Sequence, residues 1–121
     1  MVSNVSSKLK NKIINNEIVT RKEIRIFINY MISKTILITN RMYSKKKDYM
    51  NLFSEIALSY NISYKYITKE RGILIKINNY IYIVDINFNN DKYYKLYQNK
   101  YIEYNEINYL KYLKLSGDYI E

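Results

Sequence analysis

The chain of 121 residues contains no cysteine, no histidine and no proline, and only two glycines. Without cysteine it can form neither disulfides nor thiolate metal sites. Without histidine it lacks the usual general base near neutral pH, the commonest zinc ligand and the catalytic triads built on that side chain. It also lacks a glycine-rich loop followed by Lys and Ser or Thr, which nucleotide-hydrolysing enzymes use. The sequence therefore predicts no catalytic residue, no metal site and no cofactor, and it does not point to an enzyme.

Long hydrophobic runs are missing as well. The most apolar stretch, Ile24 to Thr39, is interrupted by Arg25, Asn29 and Lys34, and it is too short and too polar to span a bilayer. The first residues of the chain mix polar and apolar side chains and show no signal-peptide pattern. We therefore expect a soluble intracellular protein without a membrane partner, located in the cytoplasm, in a host cell or in an organelle.

Ile, Lys, Asn and Tyr are abundant, and Tyr alone accounts for 16 residues. The codons of these four amino acids are rich in A and T, whereas those of Pro and Gly are not. This bias is typical of an AT-rich genome, such as that of a phage, a virus, an organelle or a low-GC bacterium. The number of Tyr and Lys residues is therefore weak evidence for function, and their positions carry more information.

Positive charge is concentrated at the start of the chain. The basic N-terminal segment, residues 1–47, holds eleven basic and two acidic side chains, whereas residues 48–121 hold nine of each. The whole net charge of +9 therefore belongs to the basic N-terminal segment. A charge of this size favours an anionic partner, such as nucleic acid, an acidic protein or an anionic surface.

Helical periodicity dominates the first half of the chain. Apolar residues at every fourth position predict a short helix over residues 5–15. Thr20 and Glu23 form the Thr-x-x-Glu pattern of a capping box, in which each side chain bonds a backbone N–H at a helix start. The β-branched run at residues 35–39 predicts a buried strand. A second strong helix follows, for which Ser44 is the predicted N-cap.

The second half of the chain has the alternation expected of strands. Two extended runs joined by Asn78 and Asn79 predict a β-hairpin, because Asn tolerates the left-handed turn conformation. The predicted elements are a strand over 62–68, a hairpin of 73–77 and 80–86, a loop over 87–91, a helix over 92–101 and a weaker helix over 104–115. Residues 1–121 are thus predicted to form a single α+β domain, in which three to five helices cover a short mixed or antiparallel sheet.

The main candidate for a binding site is the basic run of Arg41, Lys45, Lys46 and Lys47, between the predicted strand and the start of the next helix. Backbone N–H groups and the helix dipole at that start favour an anion, and three ammonium groups reinforce them, so the run predicts a phosphate site. The alternative is an ordinary solvated loop. The supporting cations are Lys8, Lys12, Lys22 and Arg25.

Two other patterns each have two interpretations. The two helices at the front are compatible with a helix-turn-helix, but packing onto the sheet is favoured, because the turn lacks the usual Gly. Tyr64 and Tyr66, like Tyr80 and Tyr82, are spaced two apart on predicted strands, so each pair shares a face. Exposed pairs would stack on unpaired bases, whereas buried pairs would belong to the core, which we favour.

These patterns predict a non-catalytic protein that binds the phosphates of RNA or DNA through the basic N-terminal segment. The alternative is a protein-interaction module, such as a small viral or phage factor that acts on a host complex and uses Tyr as an interface anchor. A metal-dependent nuclease comes third, because Asn87 follows Asp85 where a restriction-type site needs Lys. The sequence leaves open DNA versus RNA, the identity of a protein partner and the oligomeric state.

Overall fold

The computed structural model describes residues 4–40, 46–67, 72–90 and 95–116. These residues form four helices and one sheet, whose four strands are all antiparallel and lie in the order β1-β2-β3-β4. The predicted α+β fold with a β-hairpin is therefore confirmed. The elements are α1 (Ser7–Ile14), α2 (Arg21–Asn40), α3 (Lys46–Ser59), β1 (Tyr64–Ile67), β2 (Gly72–Ile77), β3 (Tyr80–Asn90), β4 (Lys95–Asn105) and α4 (Glu106–Ser116).

Helix α2 begins with the capping box that the sequence predicts. The Thr20 backbone N–H donates to the Glu23 carboxylate at 2.9 Å, and the Glu23 backbone N–H donates to the Thr20 hydroxyl at 3.1 Å. Each bond satisfies a donor that has no partner inside the helix. Because the capping box fixes the first residue of α2, it also fixes the direction in which the basic side chains of the first turn project.

The strand predicted over residues 35–39 is wrong, because α2 continues as a helix to Asn40. The Thr35 hydroxyl donates to the Met31 carbonyl at 2.8 Å, and the Thr39 hydroxyl donates to the Thr35 carbonyl. Both Thr side chains are buried, four residues apart, so the helical period persists through the β-branched run. Packing of α2 against α3 overrides the weak strand propensity of these residues.

The hairpin of β2 and β3 is confirmed, with Ile77 opposite Tyr80 and Asn78 at φ 52° in its turn. The loop predicted over 87–91 and the helix predicted over 92–101 are wrong within the described residues. There β3 runs to Asn90, and β4 starts at Lys95 directly opposite it. Strand β4 pairs with a neighbour on one side only, so its sequence does not need the strict alternation of a central strand.

The core lies between one face of the sheet and helices α1, α2 and α3. Every second residue of β2 is buried on that face, and Tyr82 and Val84 of β3 join them. Tyr82 is thus a core residue, as favoured from the sequence, whereas the same expectation is wrong for Tyr66, which is exposed. Among the residues that the structure describes, the largest fully buried side chains are Tyr49, Tyr82, Phe27, Phe53, Ile24, Ile28, Met31, Ile32, Ile73, Ile75 and Val84. None of the helices in the described ranges has both the length and the apolar character needed to cross a lipid bilayer.

Candidate nucleic-acid interface

Helix α2 carries its basic residues on two opposite flanks of its buried stripe. Arg21 and Arg25 lie one turn apart. Tyr30 follows Arg21 by nine residues, and Lys34 follows Arg25 by the same number. At about 100° per residue, nine residues amount to half a turn beyond two full turns. The arginines therefore lie on one side of the helix, and Tyr30 with Lys34 lies on the other.

On the first flank, both arginines meet a carboxylate from β4. Arg21 forms an ion pair with Glu103, and an Arg25 nitrogen lies 3.7 Å from the second oxygen of the same carboxylate. The Tyr82 hydroxyl donates to that oxygen at 2.9 Å, and the Arg21 guanidinium lies 5.3 Å from the centre of the Tyr80 ring. We call these five residues the arginine cluster.

The arginine cluster combines a shielded carboxylate with two half-exposed cations. The side chain of Glu103 is only 14% exposed, whereas those of Arg21 and Arg25 are 54% and 52% exposed. The hydrogen bond and charge of Glu103 raise the pKa of Arg21, and burial together with the bond to Glu103 raises the pKa of Tyr82. Glu103 therefore fixes the position of both guanidinium groups but cancels part of their charge.

On the second flank, two lysines surround a tyrosine ring. The Lys10 and Lys34 ammonium nitrogens lie 5.2 Å and 5.9 Å from the centre of the Tyr30 ring, and the Tyr30 and Tyr60 hydroxyl oxygens are 3.3 Å apart. The hydrogen bond from Tyr60, followed by the charges of the two lysines, lowers the pKa of Tyr30. Burial raises the pKa of Tyr60 to about 12. These four residues are the lysine–tyrosine cluster.

Helix α1 supplies the lysines nearest to the start of α2. Lys8 and Lys12 lie one turn apart on α1, and their charges lower the pKa of Glu23, although the backbone bond from Thr20 has the larger effect. Neither lysine forms an ion pair with a carboxylate within the described ranges. Leu9 of α1 is buried in the same core as β2, which anchors the helix against the sheet.

An open depression of about 580 Å³ lies beside the start of α2, next to the arginine cluster. Lys12 and Arg21 both line this N-terminal depression, together with Ile18 from the α1–α2 connection and Tyr80 from the hairpin. The Asn78 side chain ties the connection to the hairpin turn: it accepts a bond from the Val19 N–H at 2.9 Å and donates one to the Glu17 carbonyl at 3.0 Å. The two hydrogen bonds of Asn78 therefore join the wall formed by the α1–α2 connection to the wall formed by the hairpin.

The predicted site residues have different outcomes. Lys12 lines the depression, Lys8 lies one turn before it on α1, Lys22 is exposed in the first turn of α2, and Arg25 lies near Glu103. Arg41 and Lys45 lie outside the described residues. Lys46 and Lys47 open α3, but their side chains also fall outside what the structure describes.

Two important residues were missing from the sequence-based site. Arg21 directly precedes Lys22, which is a predicted site residue, so its position beside another basic residue could have identified it from the sequence. Glu103 was not recognisable, because β4 was predicted as a helix followed by a second helix.

The chain matches no protein-family model, no curated protein and no solved structure. Its chemistry must therefore be inferred from its own side chains. Within the described residues, those side chains provide two sets of cations, one anchored by a carboxylate and one gathered around an aromatic ring, and Arg21 of the first set also lines the N-terminal depression together with Lys12.

Proposed function

We propose that this chain is a non-catalytic nucleic-acid-binding protein that contacts phosphates through its basic N-terminal segment. The observation that carries the proposal is that Lys12 and Arg21, from two different helices, line one open depression. Lys8, one turn before Lys12 on α1, and Lys22, next to Arg21 in the first turn of α2, are both exposed. Cations from separate elements that surround one concave surface suit a polyanion better than a single small anion.

The two kinds of cation contribute differently to this binding. Lysine ammonium groups act as mobile point charges that follow a phosphate backbone, whereas guanidinium groups make directed paired hydrogen bonds. Arg21 and Arg25 are already oriented by Glu103 and remain half exposed, so a phosphate can reach their outer N–H groups. Such contacts position a nucleic acid without reading its sequence.

The basic run of Arg41, Lys45, Lys46 and Lys47 is proposed as a second part of the same interface. Lys46 and Lys47 occupy the first two positions of α3, where a cation opposes the helix dipole. A bound phosphate would relieve that opposition, because the start of a helix favours negative charge. Changing Lys45, Lys46 and Lys47 to Glu is expected to weaken binding without unfolding the domain, and a filter-binding assay with a circular-dichroism control checks this.

The sharpest test of the interface is the double change Lys8→Glu with Lys12→Glu. We expect affinity for a generic nucleic acid to fall at least about tenfold, because two phosphate contacts become repulsions. If five cations each contact one phosphate, the logarithm of the binding constant should fall with the logarithm of salt concentration with a slope of about −3.5 to −4.5. The double variant should reduce that slope by about two.

A matched control has the same change in net charge at a different place. Lys65 on β1 and Lys111 on α4 are exposed, and both lie in the electroneutral part of the chain. Changing both to Glu should leave affinity within about threefold of the parent protein, a residual effect of long-range charge. Equal losses in the two double variants would show that net charge alone drives binding and that the assigned surface is wrong.

A protein-interaction module, such as a small viral or phage factor, is the second candidate. Ile102 on β4 and Ile107 and Leu110 on α4 are large apolar side chains that remain exposed. Exposed apolar side chains that lie together are typical of protein interfaces. This alternative predicts a complex with a protein that survives nuclease and moderate salt during gel filtration. The nucleic-acid proposal predicts that any such complex dissociates under those conditions.

A further inference from the structure

The N-terminal depression has apolar walls as well as cations. Ile18 is 90% exposed, although the neighbouring Val19 is buried, and it lines the depression together with the half-buried Tyr80. Lys12 and Arg21 line the same space, and so does Glu23, whose carboxylate accepts the Thr20 backbone N–H. A volume of about 580 Å³ lies within the range of small-ligand sites, and apolar walls beside cations suit a flat ring that carries a phosphate.

The walls are arranged before any ligand arrives. Asn78 bonds the backbone on both sides of Ile18, at Glu17 and at Val19, which holds the connection against the hairpin turn. Glu103 fixes the Arg21 guanidinium, which also lies over the Tyr80 ring. A ligand that enters this space therefore orders little of the protein, and preorganisation of this kind favours affinity.

We propose that the N-terminal depression receives one unpaired nucleotide, with its base against Ile18 and Tyr80 and its phosphate at Lys12 and Arg21. The inference rests on the proposed nucleic-acid function and specifies its substrate, a single-stranded polynucleotide. Bases in a duplex are stacked and paired inside the helix, so they cannot enter a depression without being extruded. Proteins that bind single strands commonly combine cations along the backbone with apolar or aromatic surfaces for the bases.

The test compares oligonucleotides of about twelve nucleotides as single-stranded DNA, single-stranded RNA, duplex DNA and an abasic single strand, by fluorescence anisotropy. We expect the parent protein to bind the two normal single strands at least about fivefold more tightly than the duplex, which is the lower bound for stacking one base. The abasic strand keeps every phosphate but has no base to insert. The affinity of the parent protein for the abasic strand should therefore be at least about fivefold lower than its affinity for the normal single strands.

Ile18→Ser removes one apolar wall and Tyr80→Leu removes the aromatic ring, and two matched variants make the same changes elsewhere. Ile18→Ser and Tyr80→Leu should each reduce affinity for normal single strands at least about fivefold while leaving duplex binding within about twofold. Leu58→Ser and Tyr66→Leu alter exposed apolar side chains outside the depression and should change neither affinity. Because Ile18 is almost fully exposed, Ile18→Ser keeps the test valid even if Tyr80→Leu proves unstable.

The outcomes separate this inference from the proposed function. Equal affinity for single strand, abasic strand and duplex, or a preference that survives Ile18→Ser, would overturn the nucleotide site, while the loss caused by Lys8→Glu with Lys12→Glu would still support phosphate binding. No binding of any oligonucleotide at low salt would overturn the proposed function, and the nucleotide site with it.

Discussion

The two flanks of α2 hold their cations by different physical means. In the arginine cluster, Arg21 and Arg25 converge on a shielded carboxylate that also accepts a bond from a buried tyrosine. In the lysine–tyrosine cluster, Lys10 and Lys34 lie over the Tyr30 ring and form no ion pair within the described ranges. One flank thus has fixed geometry and reduced charge, and the other keeps its full charge.

This difference matters for a protein that is proposed to bind a polyanion. A cation held over an aromatic ring packs its methylene groups on the ring while the ammonium group keeps its charge and its contact with water. An ion pair with a partly buried carboxylate restricts the guanidinium instead, and the neighbouring negative charge weakens its field. The arginine cluster is therefore suited to orient a phosphate, whereas the lysines supply long-range attraction.

The largest expected effect is that of Glu103→Gln, which removes the anchor of the arginine cluster. Gln keeps an acceptor for the buried Tyr82 hydroxyl but removes the charge. Because a bond to a charged group is worth about 1.5–3 kcal/mol and a neutral one about 0.5–1.5 kcal/mol, the free energy of unfolding should fall by about 1 kcal/mol. Affinity for nucleic acid should rise, because one negative charge leaves the interface. Urea denaturation and anisotropy measure the two effects.

Glu55→Gln is the matched control for this change, since Glu55 is an exposed glutamate on α3. It should raise affinity less and should leave the free energy of unfolding within about 0.5 kcal/mol of the parent protein. If Glu103→Gln leaves the urea midpoint unchanged, the arginine cluster is no more anchored than the lysine–tyrosine cluster, and the contrast between the flanks disappears.

Local signals in the sequence were sufficient where a few adjacent residues determine the structure. The capping box needs only Thr20 and Glu23, and the hairpin turn needs only Asn78 in the left-handed region. Both predictions are confirmed, because neighbouring residues satisfy the backbone there whatever the rest of the chain does.

Local signals failed where a distant partner decides the structure. The run from Thr35 to Thr39 has strand propensity, but its Thr hydroxyls bond within α2 and its buried face packs on α3. Residues 95–101 contain lysines and tyrosines at spacings compatible with a helix, but pairing with β3 makes them a strand. Propensity is a weak prior in both cases, and tertiary packing overrides it.

The same limit applies to the candidate site. The concentration of positive charge in residues 1–47 is visible in the sequence, and Lys8, Lys12 and Arg25 are exposed or partly exposed; their role in binding phosphates stays a prediction. Their division between two flanks depends on Glu103, which lies far along the chain on a strand that was predicted as a helix. Composition therefore indicates a class of partner, but not which cations remain uncompensated.

The start of α2, next to the arginine cluster, gives a smaller effect that depends on pH. The pKa of Glu23 is lowered from its ordinary value of 4.5 by the Thr20 backbone bond and by Lys12 and Lys8. Its contribution to stability is therefore complete above pH 4.5 and is lost as the pH falls through the lowered pKa. Gln is also a capping-box residue, so Glu23→Gln keeps the hydrogen bond but removes the charge.

At neutral pH the parent protein should be more stable than Glu23→Gln by about 0.5 kcal/mol, the usual value for an acid in the first turn of a helix. The difference should vanish in strong acid, where the carboxyl is protonated, and thermal denaturation across the acid range measures it. Adding Lys8→Glu and Lys12→Glu should reduce the difference at neutral pH. If it persists unchanged in strong acid, charge is not its cause.

The smallest effect compares one tyrosine from each flank by alkaline titration of phenolate absorbance. Tyr30 should ionise below its ordinary pKa of 10.0, because its hydrogen bond with Tyr60 and the two nearby lysines favour the phenolate. Tyr82 should ionise late, because burial and Glu103 outweigh the arginines. Tyr60→Phe should therefore remove the early step, whereas Tyr66→Phe should not.

Tyr30 and Tyr60 have opposite effects on stability in alkali. The lowered pKa of Tyr30 favours the folded state, whereas the raised pKa of Tyr60, about 12, opposes it, so the net change in stability between pH 10 and 12 should be small. If the early step survives Tyr60→Phe, the charges of the two lysines are sufficient to lower the pKa of Tyr30. The hydrogen bond between the two tyrosines would then have no part in the electrostatics of the lysine–tyrosine cluster.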